Sequence, residues 1–196
     1  MKIAIISDIH NNLTNLKKVL NYCAEKEIKT IICCGDLASL ETLDFLNDNF
    51  KGKTYFTFGN MDDDQMTNSV CHPELDAGSR KLDSGSGAGM TCVYKNTKVY
   101  KKFGETQFEV GSQTGRGPTS VNIAFVHYPD FAKKLAETGK YDFVFYGHTH
   151  KPWEKMINNC KVLNPGNVAG EIYPPTFAVW NTESDKFELI RITELK

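Results

Sequence analysis

Three short apolar runs near the start of the chain constrain its fold more than any other feature. Lys2-Ile-Ala-Ile-Ile-Ser7, Thr30-Ile-Ile-Cys-Cys34 and Thr54-Tyr-Phe-Thr-Phe58 are continuous rather than alternating, as strands buried on both faces are. Between the first two, Asn11 or Asn12 is placed to cap a helix running to about Lys26. Its Leu13, Leu16, Val19, Leu20 and Cys23 recur at helical spacing and form one apolar stripe. Leu40 to Phe50 repeats that spacing between the second and third runs. The pattern is β-α-β-α-β, which requires parallel strands joined by crossover helices and therefore an α/β fold.

The second half is richer in strand-like segments. Thr97–Lys101, Gln107–Val110, Val121–Val126, Phe143–Tyr146, Trp153–Ile157, Lys161–Leu163, Thr176–Trp180 and Phe187–Ile192 all read as strands. A short helix is expected at Phe131–Glu137, and Asn164-Pro165-Gly166 reads as a turn. So many strands point to a second sheet packed on the first. From about 69 to 92 the chain is rich in Gly and Ser without periodicity, and 111–118 is a second such stretch. The longer one reads as a loop, either an inert insertion into a working domain or a substrate lid. No repeat or linker divides the remainder, so one domain spanning 1–196 is expected.

Composition narrows the setting. A net charge of −1 and a pI near 6.5 exclude a bulk electrostatic pull toward nucleic acid or anionic membrane. No apolar run approaches the roughly 20 residues a membrane helix needs, and Asp8 and His10 arrive too early for a secretory leader. Of the six cysteines, Cys33 and Cys34 are adjacent in an apolar run and none forms a C-x-x-C pair. Reduced thiols and a cytoplasmic location are the expectation.

Chemistry concentrates where the apolar runs stop. Five of them end in groups able to bind a metal: Asp8 and His10, Asp36, Asn60, His127, and His148 with His150. In open α/β sheets, functional groups collect beyond the carboxyl ends of the strands. Residues distant in sequence would then meet at one rim. Gly147 breaks the strand before His148-Thr-His150. On a loop, two imidazoles at that spacing can splay and serve two adjacent points, which suits a pair of ions. Each residue also has an ordinary structural explanation. Asp8 or Asn12 could cap a helix, Gly35-Asp36 could form a turn, Gly59-Asn60 could supply positive φ, and His127 could be a satisfied core imidazole. Five such endings, each directly after a buried run, favour a shared metal site.

Asp-x-His, Gly-Asp, Gly-Asn-x-Asp, a lone His after a strand, and Gly-His-Thr-His, in this order, resemble the calcineurin-like metallophosphoesterase superfamily. The short length and the Gly-Asn-Met-Asp form are similar to its small prokaryotic phosphodiesterase branch, the YfcE type. The resemblance covers the chain apart from about 69–92. It implies a four-layer α/β/β/α sandwich with a two-metal site at one edge of the sheets. Carried over by motif, Asp8, His10 and His150 hold one cation, Asn60, His127 and His148 the other, and Asp36 bridges both. Mn²⁺ is the first expectation, with Ni²⁺, Zn²⁺, Fe²⁺ and Mg²⁺ as alternatives, and the absence of thiolate ligands argues against a closed structural zinc site. The resemblance also implies the reaction. A cation pair lowers the pKa of water to about 7, and the resulting hydroxide attacks the phosphorus of a small phosphate ester.

Three readings of individual residues follow. Asn12 matches an Asn that touches phosphate in the family, or it caps the helix. Asp62 is expected to orient a neighbouring imidazole. Met61 stands where many relatives carry a histidine that protonates the leaving oxygen. A thioether cannot donate a proton, so diesters with acidic leaving groups are the expected substrates. Two alternatives stand beside the phosphodiesterase: a phosphomonoesterase or nucleotidase, and a catalytically weak scaffold, since some relatives serve protein assemblies. Homo-oligomerisation is a further open reading.

Overall fold

In the computed structural model, which describes residues 1–62, 64–71, 91–111 and 119–196, the opening pattern forms as the apolar runs require. It comprises β1 (Lys2–Ile6), α1 (Leu13–Glu25), β2 (Thr30–Cys33), α2 (Leu40–Asn49) and β3 (Lys53–Thr57). There follow α3 (Asp64–Cys71), β4 (Thr91–Tyr94), β5 (Thr97–Tyr100), β6 (Phe103–Val110) and β7 (Thr119–Val126). The chain closes with α4 (Pro129–Glu137), β8 (Phe143–Tyr146), β9 (Trp153–Ile157), β10 (Cys160–Asn164), β11 (Thr176–Asn181), β12 (Lys186–Arg191) and a 3₁₀ turn.

The strands form two mixed sheets. A seven-stranded sheet has the order β12-β11-β1-β2-β3-β5-β4, and a five-stranded one has β6-β7-β8-β10-β9. The central strands β1, β2, β3 and β5 are parallel, as are β7, β8 and β10. The side chains sort into three cores, and these set the layering. Ile3, Ile5 and Ile32 of the larger sheet meet Ile123, Phe125, Phe143 and Phe145 of the smaller one, so the sheets pack face to face. The other face of the larger sheet, through Ala4, Ile6 and Phe56, packs on Leu16, Val19, Leu43 and Leu46 of α1 and α2 and on Met66 and Val70 of α3. The outer face of the smaller sheet, through Ala124, Val126 and Val144, packs on Ala132, Leu135 and Ala136 of α4. The result is the expected α/β/β/α sandwich.

Three expectations are corrected. The stretch read as loop from 69 to 92 is helical at its start, in α3, and extended at its end, in β4; residues 72–90 lie outside the described residues, as do 112–118. The tail strands do not all build the second sheet, because β11 pairs with β1 and β12 with β11. The short helix begins at Pro129 rather than Phe131, since a proline fits the first helical position, whose N–H needs no partner.

Candidate metal centre

The parallel strands β1, β2 and β3 end at the rim where β7 and β8 also end, and the turns beyond them are stitched together by backbone. Asp8 N–H donates to the Gly35 carbonyl (3.0 Å), Ile9 N–H to Asp36 (2.8 Å) and Gly147 N–H to His127 (3.1 Å). The backbone N–H of His148 donates to both carboxylate oxygens of Asp8, each at 3.1 Å, which joins the two sheets. Asp8, His10, Asp36, His148 and His150 all have φ between 44° and 69°. This left-handed region costs a non-glycine residue about 1–2 kcal/mol, and Asp, Asn and His tolerate it best. Strain repeated at adjacent side chains marks a functional site. Two glycines before the donors permit the crowding. A Cβ on Gly59 would collide with the Asp36 carboxylate, and one on Gly147 with the Ser7 hydroxyl.

The donor atoms gather in two groups that share one oxygen. His10 Nε2 and His150 Nε2 lie 3.3 Å apart. Asp8 Oδ1 is 3.4 Å from the His150 nitrogen and 3.9 Å from that of His10. In the second group, Asn60 Oδ1 is 2.9 Å from both His127 Nε2 and His148 Nδ1. Asp36 Oδ2 faces both groups, 3.8 Å from His10 Nε2 and 3.2 Å from His127 Nε2. His148 and His150, both at positive φ, point into different groups.

The remaining ring nitrogens fix how two imidazoles present themselves. His127 Nδ1 lies 2.9 Å from the Cys34 carbonyl, so it carries the proton and leaves the Nε2 lone pair facing Asp36. His150 Nδ1 does the same with the Glu171 carbonyl at 3.3 Å. Such outer contacts orient metal-binding imidazoles. The loop carrying Glu171 is held in turn by Asn167, whose side chain accepts from the Gly170 and Glu171 amides and donates to the His150 carbonyl. Asn164 donates to the Gly147 carbonyl and to Thr149. Neither asparagine stands out in the sequence, because one lies in an ordinary turn and the other beyond it.

The electrostatics suit cations. Asp8 and Asp36 are 0% and 1% exposed, and their oxygens, with His127, lie within 4.8 Å of one another. Among the described residues no lysine or arginine pairs with either carboxylate; the ion-pair partners are histidines. Two buried carboxylates facing imidazole lone pairs form an oxygen and nitrogen donor set that divalent metals fit. Burial alone pushes the Asp36 carboxyl up, but His127, the Met61 amide and His10 outweigh it and hold the pKa below the usual value. The His127 pKa is raised, the pull of Asp36 outweighing burial, and Asp8 beside it raises that of His150.

These directions have a pH consequence. In metal-free protein, the raised histidines add stability below the ordinary value of 6.5 and lose it as pH rises through their folded pKa. Metal needs the deprotonated nitrogens, so its contribution grows in the opposite direction. Saturating Mn²⁺ is expected to raise Tm by about 5–10 °C near pH 8 and by clearly less near pH 6. Thermal scans with and without the ion check this, and equal increments at both pH values would remove these imidazoles from the ligand set.

Comparison with known proteins decides the family. Residues 1–185 match the calcineurin-like phosphoesterase superfamily domain. The chain belongs to that superfamily. The phosphoesterase is 23% identical over 191 residues to phosphodiesterase MJ0936 of Methanocaldococcus jannaschii, covering 97% of this chain and 98% of that protein. Among solved structures, an archaeal phosphodiesterase superposes with a TM-score of 0.68 at 22% identity, covering 97% and 99% of the two chains. The Escherichia coli phosphoesterase Yfce gives 0.59 at 16%, covering 98% and 100%. Vps29 of Chaetomium thermophilum gives 0.58 at 15%, covering 97% and 95%.

One residue of the phosphoesterase acts differently from the expectation, and Asn12 takes the helix-capping role of its two expected ones. Asp62 touches no imidazole in the described structure. Its Oδ2 accepts the Asp36 amide (2.9 Å) and the Gly59 amide (2.7 Å), and its Oδ1 accepts that of Ala38 (2.8 Å). It therefore fixes the turns after β2 and β3 relative to each other, setting Asp36 against Asn60. Asp62→Ala, which leaves three amides without acceptors, is expected to cost about 2–4 kcal/mol in urea unfolding. A loss below 1 kcal/mol would mean that water replaces the carboxylate. Asn12 is committed to structure at both ends: Oδ1 accepts the Asn15 amide as the α1 cap, and Nδ2 donates to the Ala169 carbonyl. Nδ2 carries a second N–H, so a phosphate contact would not require breaking either bond.

Proposed function

We propose that the protein is a metal-dependent phosphodiesterase in which Asp8, His10 and His150 hold one divalent cation, Asn60, His127 and His148 a second, and Asp36 both. The observation that carries the reading is Asp36 Oδ2, 3.8 Å from His10 Nε2 in one donor group and 3.2 Å from His127 Nε2 in the other. Bound there, a cation pair would supply Lewis acidity toward a phosphoryl oxygen and activation of a water at neutral pH. The chain's own part is to hold the donors in place. The His127–Cys34 and His150–Glu171 contacts keep both Nε2 lone pairs turned inward, and the Met61 amide fixes Asp36 Oδ1 at 2.8 Å. Mn²⁺ suits the mixed carboxylate, amide and imidazole set, with Ni²⁺, Zn²⁺, Fe²⁺ and Mg²⁺ as competitors. We read the chain as one catalytic domain of a cytoplasmic protein, with the residues between α3 and β4 as an insertion. Among the described residues no helix is long and apolar enough to cross a membrane.

Met61 argues for diesters. Its side chain is 51% exposed beside Asn60 and offers no proton to a leaving oxygen. Placing a general acid there should contribute about 10²-fold. Met61→His is expected to raise kcat/KM on p-nitrophenyl phosphate by that order, measured against bis(p-nitrophenyl) phosphate, and an unchanged ratio would place residue 61 away from the leaving group. The function itself is tested by restoring metal-stripped protein with each divalent ion in turn and assaying bis(p-nitrophenyl) phosphate. Mn²⁺-dependent hydrolysis is expected. No hydrolysis with any ion would favour the scaffold reading, which the fold shared with Vps29 brings to mind but the complete donor set opposes.

A further inference from the structure

Two large side chains beside the second donor group are left open to solvent, and the reaction as described uses neither for binding. Tyr128 is 43% exposed and Met61 51%. The Tyr128 ring centroid lies 5.1 Å from that of His127 and 5.3 Å from that of His148. It therefore packs on both imidazoles that share the Asn60 oxygen. Met61 follows Asn60 directly, and its amide is tied to Asp36 Oδ1 at 2.8 Å, which fixes where its side chain leaves the loop. The Tyr128 hydroxyl makes no hydrogen bond within the described residues, and as the residue before α4 it supplies no side-chain cap. Packing and capping thus leave its outer ring face and hydroxyl unexplained. An exposed ring packed on one donor group offers what a flat, apolar group would contact.

We infer that the Tyr128 ring forms an aromatic subsite next to the Asn60, His127 and His148 donors, and that the substrate is a phosphodiester carrying a planar aromatic ring close to phosphorus. The inference rests on the phosphodiesterase reading and narrows it. Stacking on an aromatic side chain is worth about tenfold or more in affinity when tested by truncation to alanine. Tyr128 is here a binding residue; the ring acts, not the hydroxyl.

The test reads binding rather than turnover. Mn²⁺-loaded protein is titrated calorimetrically with phenylphosphonate and with methylphosphonate, which share the anionic head and are not hydrolysed. Wild type is expected to prefer the phenyl compound by about tenfold. Tyr128→Ala should bring the ratio close to one, while Tyr128→Phe, which keeps the ring, should preserve it. Adenosine and ribose 5′-phosphonates form a second pair that shows whether the ring reaches the subsite through a sugar. A Tyr128-dependent preference in either pair supports the subsite. No preference in both pairs, or equal loss in the alanine and phenylalanine variants, overturns it, the latter by assigning the effect to the hydroxyl. If the phenyl preference holds while bis(p-nitrophenyl) phosphate is not hydrolysed, the subsite stands and the phosphodiesterase reading fails.

Discussion

Asp36→Asn is expected to lower kcat/KM on bis(p-nitrophenyl) phosphate by about 10³-fold or more and to abolish the rise in Tm on adding Mn²⁺. The substitution is close to isosteric, and the amide oxygen can still accept the Met61 N–H that Asp36 Oδ1 takes at 2.8 Å. The turn after β3 should therefore stay in place. What is lost is the charge, together with Oδ2, the oxygen that faces both donor groups. The new NH₂ would sit where Oδ2 now lies, 3.2 Å from His127 Nε2, and would donate to the lone pair a cation needs. Metal-free stability near neutral pH should fall modestly, because the folded environment favours the Asp36 charge, through His127, the Met61 amide and His10, over the cost of burying it. Activity within a few-fold of wild type, or a surviving Mn²⁺ shift, would strip Asp36 of its bridging role. A collapse of the metal-free fold would instead make that role structural.

The second large effect is expected at Gly35. Its φ is +98°, and a Cβ there would stand 2.5 Å from His127 Nδ1 and 2.9 Å from Cγ. The His127 ring is buried and held to the Cys34 carbonyl, so it has little freedom to yield. Gly35→Ala thus combines backbone strain with displacement of the His127 ring. The cost is set at about 3 kcal/mol or more, a fall in Tm of roughly 6–12 °C. Gly139→Ala is the control, since φ there is +70° but nothing lies within 4 Å of the added carbon. It should lose only about 1–2 kcal/mol and leave the Mn²⁺ response intact. Equal losses at the two positions would mean that the Gly35 effect is backbone strain alone.

How much of this was legible in the chain depends on the range of the forces involved. The strand ends at Asp8, Asp36, Asn60, His127 and His148 could be read because continuous apolar runs stop abruptly at polar residues. Their convergence then follows from parallel strands sharing one carboxyl rim. Helix α3 was missed because a helix of eight residues offers only Met66 and Val70 as periodic signal. Strand β4 escaped because its hairpin to β5 turns through Lys95 and Asn96 without a glycine, Lys95 itself taking φ of 52°. The expected role of Asp62 went wrong for a different reason. A carboxylate two residues after the Asn60 donor suggests a side-chain partner, whereas its oxygens accept three amides from two separate turns. Asn167 acts through the backbone of a loop that has no pattern of its own, and only tertiary structure shows it.

One consequence of the donor arrangement concerns mechanics rather than chemistry. Each group draws on both sheets: Asp8 and His10 follow β1 while His150 follows β8, and Asn60 follows β3 while His127 and His148 follow β7 and β8. A bound ion would thus act as a clasp across the sandwich, closing a loop of 140 residues in the first group and of 67 to 88 in the second, much as a crosslink does. Prising the layers apart would open the catalytic rim at the same stroke, so the enzyme's durability and its loading state should rise and fall together.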